Sequence, residues 1–243
     1  MLLRFLGTGA ADWNGPDENG EYRRFTSTLL DGRVLIDVTK TVLDMIPDKS
    51  KVTDVFFTHS HRDHFDPEAL KALAPCRVHA HESWAGEISG DGLTVIPLKT
   101  GVSAEAAEYT FLPMPSNHST PREYETTLHY LIEGGGRCLL YATDGAWLLN
   151  SEHRMIGNKV LSAAVFDATI GDAIPGDWRI FEHNSVDMVR LMVKTLLKAG
   201  RLGEGAPVFL THFARTLHPS QAELERSMEP PLRVCFDGME ARV

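Results

Sequence analysis

Six consecutive residues, His59-Ser60-His61-Arg62-Asp63-His64, present four side chains able to bind a metal, one residue after the apolar run Val55-Phe56-Phe57. His59 and His61 are two apart, while Asp63 and His64 are adjacent and cannot share one face of a helix. The spacing predicts a buried strand that stops, then a loop whose side chains point several ways. Three imidazoles and a carboxylate suit zinc or a similar borderline divalent ion. One tetrahedral site could not comfortably take all four from so tight a loop, so two metals, each taking a pair, is the simpler geometry. A lone buried histidine is usually a core residue satisfied by a hydrogen bond. Four ligand types in six positions after a strand are not explained that way.

Three further apolar segments end in residues of the same chemistry. Tyr109–Met114 runs into Pro115-Ser116-Asn117-His118, Arg137–Ala142 into Thr143-Asp144, and Pro207–Leu210 into Thr211-His212. In a layered α/β domain, strand ends converge on one rim. His118, Asp144 and His212 are therefore expected beside the 59–64 loop. Singly each has a plain role, the histidines as caps and the aspartate as a turn former; together they read as a metal site.

The elements that must position these residues are legible as strands with outer helices. Leu2 to Leu6 is a strand, followed by Gly7-Thr8-Gly9-Ala10 as a tight turn or close backbone approach. Residues 12–24 are polar and turn-rich, a long loop, with Arg23 and Arg24 read as a solvated pair that could also face an anion. Ser27–Leu30 and Arg33–Val38 flank Asp31-Gly32, a hairpin signal. Thr53 to Thr58 delivers the histidine loop. Asp66-Pro67-Glu68 then opens a helix with a cap, a proline at its first position and early negative charge. Arg77–Ala80 and Leu93–Leu98 are strands, with His79 and His81 as strand and strand-end residues. Thr127–Glu133 and Arg137–Ala142 flank Gly134-Gly135-Gly136 as a second hairpin, and Leu161–Phe166 ends in Asp167. The clearest helix is Ser185–Lys198, with Val186, Val189, Val193, Leu196 and Leu197 as its apolar stripe. A capped helix from Pro219 to about Met228 and a strand Leu232–Phe236 close the chain.

His59-x-His-x-Asp-His64 after an apolar strand, followed in order by His118, Asp144 and His212, resembles the metallo-β-lactamase superfamily. That resemblance implies an αββα four-layer sandwich over a single hydrolase domain, residues 1–243, with a two-metal site at one edge. It further implies that His59, His61 and His118 bind one ion, that Asp63, His64 and His212 bind the other, and that Asp144 bridges them. A bridging carboxylate offsets the repulsion of two dications ~3.5–4 Å apart, and metal lowers the pKa of bound water toward ~7. The hydroxide so formed attacks phosphorus or a carbonyl carbon.

Glu182-His183-Asn184-Ser185, Leu6-Gly7-Thr8-Gly9-Ala10, Phe236-Asp237-Gly238-Met239-Glu240 and His218-Pro219 are similar to the phosphodiesterase branch, which includes ribonuclease Z and the cyclic phosphodiesterase of phosphonate breakdown. By that resemblance Asp63 and His183 are catalytic candidates, with His183 the acid or charge stabiliser beside the phosphate. His183 and His218 are the candidate substrate contacts. The chain departs from those relatives in three ways: Phe65-Asp66-Pro67 follows the histidine loop, no cysteine-based metal site is present, and no basic Gly/Pro-rich arm is inserted. The expected substrate is accordingly a small nucleotide- or sugar-derived phosphodiester, cyclic ones included. A metal-dependent lactonase or thioesterase, and a non-catalytic metal- or ligand-binding protein, are the competing readings. Two divalent ions are expected as cofactors, zinc or manganese, with iron also compatible.

Bulk properties set the outer limits. The 243 residues are 43% apolar, enough for a sizeable core, and no apolar run is long enough to span a bilayer. Met1-Leu2-Leu3-Arg4 opens straight into a strand-like segment, so no secretory signal is expected. Three scattered cysteines, Cys76, Cys138 and Cys235, point to reduced thiols and a cytoplasmic setting. The net charge of −9 disfavours long nucleic acid as a partner but not a small anionic substrate, because two dications would place about +4 of formal charge in the cleft. A homodimer is allowed for, as the commonest assembly.

Overall fold

The computed structural model describes residues 1–171 and 176–243. β1 (Leu2–Gly7), β2 (Ser27–Leu30), β3 (Val34–Ile36), β4 (Asp54–Phe56), β5 (Cys76–His81) and β6 (Leu93–Leu98) lie side by side in chain order. β7 (Ala104–Ala106), β8 (Tyr109–Pro115), β9 (Leu128–Gly134), β10 (Arg137–Ala142), β11 (Ala163–Asp167), β12 (Val208–Thr211) and β13 (Leu232–Val234) form a second sheet, also in chain order. β14 (Glu240–Arg242) returns to pair antiparallel with β1, so each sheet has seven strands. Each sheet begins antiparallel and becomes parallel, from β3 onward in the first and from β10 onward in the second.

Successive side chains of a strand point to opposite faces, and here both faces are apolar. Val34, Ile36 and Phe56 face inward against Phe111, Tyr130, Leu139, Tyr141, Val165 and Phe209 of the second sheet. Phe56 stacks on Phe111 with ring centroids 3.9 Å apart. The alternate residues Leu35, Val55 and Val78 face outward onto Val42, Leu70, Leu73 and Trp84. Leu140, Ala164, Phe166, Val208 and Leu210 face outward onto α3 (Val186–Lys198), through Val186, Val189, Val193 and Leu196. Three apolar layers between four layers of structure make the αββα sandwich. α1 (Pro67–Lys71) and two short 3-10 turns cover the first sheet; α2 (Asn150–Ile156), α3 and α4 (Gln221–Ser227) belong to the second half.

Local chemistry sets the boundaries. Asp31 and Gly32 have φ of 45° and 71° and Arg33 N donates to Leu30 O at 2.9 Å, the primed turn whose twist suits a hairpin. Asp66 caps α1 through its side chain, and Ser185 caps α3. β7, β14 and α2 were not expected from the sequence. The 12–24 loop is no free surface segment: Trp13 is 4% exposed and its indole N–H donates to Phe213 O at 2.7 Å. Arg23 is not a solvated residue but a buried tie, donating to Thr8 Oγ1 at 2.7 Å and Cys235 O at 3.0 Å, with its guanidinium over the Phe213 ring. Cys76, Cys138 and Cys235 are separate, buried and unpaired. Among the described residues no helix is long and apolar enough to cross a membrane.

Candidate metal centre

Strand direction decides where the ligand-type residues go. β3 and β4 are parallel, so Asp37 and the 59–64 loop leave the first sheet at one edge. β10, β11 and β12 are parallel, and β8 runs with β10 because both are antiparallel to β9. His118, Asp144, Asp167 and His212 thus leave the second sheet together. The two sheets are joined where these edges meet, by Leu128 N donating to Thr58 O at 2.9 Å. Asp37, Asp144 and His212 have φ of 57°, 57° and 61°, a left-handed conformation that costs energy for residues other than glycine and clusters at functional sites.

The side chains converge. His59 Nε2 lies 2.9 Å from His61 Nδ1, which lies 3.0 Å from His118 Nε2. His64 Nε2 is 2.8 Å from Asp144 Oδ2, 3.3 Å from Asp63 Oδ2 and 3.3 Å from His212 Nε2. His212 Nε2 is 3.2 Å from Asp144 Oδ1. Two groups, His59–His61–His118 and Asp63–His64–His212, each bring their donor atoms within 4.8 Å of one another, with Asp144 reaching the second and, through His59 and His64, the first. Nitrogens bound 2.0–2.1 Å from one tetrahedral ion would sit ~3.3 Å apart, close to the spacing found here. Imidazole and carboxylate donors turned toward each other, and a buried Asp144 Oδ2 that makes no hydrogen bond of good geometry, fit two divalent ions.

A second ring of residues orients the first. Asp37, wholly buried, accepts from His64 Nδ1 at 2.8 Å and from Thr58 N and Thr58 Oγ1, each at 2.8 Å. Thr169 Oγ1 holds His212 Nδ1 at 2.8 Å and donates to Asp167 Oδ1 at 2.7 Å. Such partners fix the tautomer that leaves the other ring nitrogen for a metal. Glu125 accepts from Ser60 N at 2.7 Å and from Ser60 Oγ, pinning the residue between His59 and His61, and Arg122 binds the same hydroxyl. None of Asp37, Asp167, Thr169 and Glu125 was assigned a role from sequence; the signal for Asp37 and Asp167 was that each closes an apolar run, as Asp144 does.

The charges are strongly perturbed. Burial pushes His59 well below its ordinary value and lowers His118 to about 4. His64 is equally buried, yet Asp144, Asp63 and Asp37 overcome that and raise it well above the ordinary range. Burial works to raise Asp63 and Asp144, but the neighbouring histidines hold both well below it.

His183 stands at the same rim. Its Nδ1 is 2.7 Å from Asp167 Oδ2 and 3.6 Å from Asp144 Oδ1, and its ring is 4.9 Å from that of His118 and 5.4 Å from that of His212. Burial opposes its charge, but Asp167 and then Asp144 raise it to about 9. His218 stands a layer back, its Nε2 2.9 Å from Thr169 O and its ring against Phe213. His79 pairs with Asp54 at 2.8 Å and stacks on Phe56, within the core. A cavity of ≈ 300 Å³ opens over the cluster, lined by His61, Asp63, His118, Asp144, His183 and His212 together with residues of the rim. A larger hollow of ≈ 660 Å³ lies between the end of α3 and residues 228–233, but no histidine lines it.

Comparison with known proteins gives a consistent family and fold. A family model described as a beta-lactamase superfamily domain matches residues 18–213. No curated protein matches the chain by sequence. Among solved structures, a diphosphatase of the PhnP family superposes with a TM-score of 0.74 at 18% identity, covering 99% of this chain and 96% of that one. The short form of human tRNase Z gives 0.70 at 18% identity, covering 100% and 99%. Zn(2+)-bound PqqB from Methylobacterium extorquens gives 0.71 at 18% identity, covering 100% of both chains.

Proposed function

The chain belongs to the beta-lactamase superfamily, and on that premise we propose that it is a dinuclear metal-dependent hydrolase of small phosphodiesters derived from nucleotides or sugars, cyclic ones included. One observation carries the reading beyond a generic metal hydrolase: His183, raised to about 9 and tied through Nδ1 to Asp167 at 2.7 Å, shares the cavity with the ligand cluster. A leaving alkoxide needs a proton, and a positioned, protonated imidazole supplies one. A thioester, whose thiolate leaves without a proton, makes no comparable demand; a lactone, which also releases an alkoxide, is separated by the assay below.

His59, His61 and His118 would hold one ion, Asp63, His64 and His212 the other, with Asp144 between them. Bound there, two divalent cations (zinc or manganese, with iron compatible) would acidify a water and offset the negative charge of the phosphate. The remaining work falls to the chain. Asp37 and Thr169 orient the rings of His64 and His212. Asp63 is the candidate acceptor of the attacking water's proton. Asp167 holds His183 charged and leaves Nε2 as the nitrogen that donates to the departing oxygen.

The test is a parallel assay of the purified protein on bis(p-nitrophenyl) phosphate, a lactone and a thioester, with metal content measured on the same sample. Turnover of the phosphodiester is expected. Turnover of the lactone or thioester alone would make this a carbonyl hydrolase, and bound metal without any turnover would make it a binding protein.

A further inference from the structure

The cavity is built unevenly. Its floor is imidazole and carboxylate, while its rim carries Trp178 and Arg179 and the short side chains of Ala10, Ala11 and Ala214. Trp178 is 67% exposed, whereas Trp13 and Trp84 are 4% and 2% exposed. An indole buried in a core contributes through the area it removes from water. Trp178 contributes little of that to folding; what it offers is a broad apolar face beside whatever enters the cavity.

The turn that presents it, Trp178–Phe181, is anchored on several sides. Asp177 accepts from Arg179 N at 3.0 Å and grips the Arg179 guanidinium at 3.0 Å through Nε and 2.6 Å through Nη2. Asn117 Nδ2 donates to Phe181 O at 3.3 Å. His183 N donates to Arg179 O at 2.7 Å, so the indole and the candidate acid are set by one piece of backbone.

The charges on the rim say what the apolar face receives. The Arg179 guanidinium is already paired with Asp177, and Asp12 and Glu182 add two carboxylates to the lining. A second phosphate would be repelled there, and an uncharged group would not. The methyl groups of Ala10, Ala11 and Ala214 leave room for something flat.

We propose that the site takes phosphodiesters joined to a planar, uncharged ring of the nucleobase kind, with Trp178 as the stacking platform. Nucleotide-derived esters are then bound more tightly than base-free sugar esters of the same reacting group. This rests on the phosphodiesterase reading above, and the experiment separates the two.

The metal-loaded protein is assayed on adenosine 2′,3′-cyclic phosphate and on a methyl riboside 2,3-cyclic phosphate, which has the same reacting ester and no base. Losing one base–aromatic stack weakens binding about 5- to 150-fold. Trp178→Ala should raise KM for the adenosine ester by that factor with kcat little changed, Trp178→Phe should restore it, and KM for the base-free ester should not move. Equal effects on both esters, or no effect on either, would overturn the platform. Should neither ester be hydrolysed, the phosphodiesterase reading fails, and calorimetric titration with adenosine 5′-monophosphate still decides. Binding weakened in Trp178→Ala and recovered in Trp178→Phe upholds the platform, and equal or absent binding in all three proteins rejects it.

Discussion

Nδ1 of His64 and Oδ2 of Asp37 lie 2.8 Å apart, and neither side chain touches solvent. The carboxylate fixes which ring nitrogen carries the proton and leaves Nε2 turned into the cluster. Asp37→Asn keeps the shape and removes the charge. Metal affinity should fall ~10–100-fold, read by competition with a chromogenic chelator. Unchanged affinity would mean that the pairing is only structural.

As the proposed acid, His183 should set a limit on the alkaline side. A proton donor works while it holds its proton, so its contribution to kcat falls as pH rises through about 9, and lower once a neighbouring cation adds repulsion. Asp167→Asn removes the largest of the influences that raise it and should move that limb to lower pH. His183→Ala should lower kcat by ~10²–10⁴ with metal content intact. A pH profile that is the same in all three proteins would exclude His183 from proton transfer.

Metal uptake should release protons. His64 is raised well above its ordinary value by Asp144, Asp63 and Asp37 against the opposing effect of burial, and an imidazole must lose its proton to bind metal. In the metal-free protein a raised histidine stabilises the fold fully below its unfolded value of ~6.5, and that contribution fades as pH rises through the folded value. Metal affinity moves the other way and weakens as pH falls. Calorimetry in two buffers of different ionisation heat measures the proton count, and a count of zero contradicts the charge state assigned to His64.

Gly145 follows the strained Asp144 and has no room for a side chain. A Cβ there would lie 2.7 Å from His129 Nε2, and His129 cannot retreat easily because it is buried and bound to Glu152 at 2.6 Å. Gly145→Ala should cost ~1–3 kcal/mol in denaturant unfolding and loosen metal binding by displacing Asp144. Wild-type values for both would show that the loop yields without cost.

The ligand-type residues were legible because histidine and aspartate placed straight after apolar runs are uncommon and carry their own chemistry. Arg137–Ala142 was legible to the residue, since burial on both faces from Cys138 onward makes an unbroken apolar run; Leu93–Leu98, half-exposed at the sheet edge, was legible from its mostly aliphatic composition. The supporting carboxylates were not. Asp37 and Asp167 look like turn formers in sequence, and their partners His64 and His183 lie 27 and 16 residues away. α2 escaped because Leu149 offers no capping side chain; Glu152 reaches back to Leu149 N at 2.7 Å instead. β7 and β14, three residues each, are too short to show a period. Nothing local marks Arg23 as buried, because two of its acceptors, Cys235 O and Gln221 Oε1, lie some two hundred residues downstream.

His59 to His64 come from the first sheet, and His118, Asp144 and His212 from the second, so neither half of the polypeptide owns a complete coordination set. An ion shared by His64 and His212 would fasten positions 148 residues apart and act as a removable rivet between two slabs. Its affinity and the molecule's resistance to unfolding would then rise and fall together, and starvation for metal would shorten this protein's lifetime as well as stop its turnover.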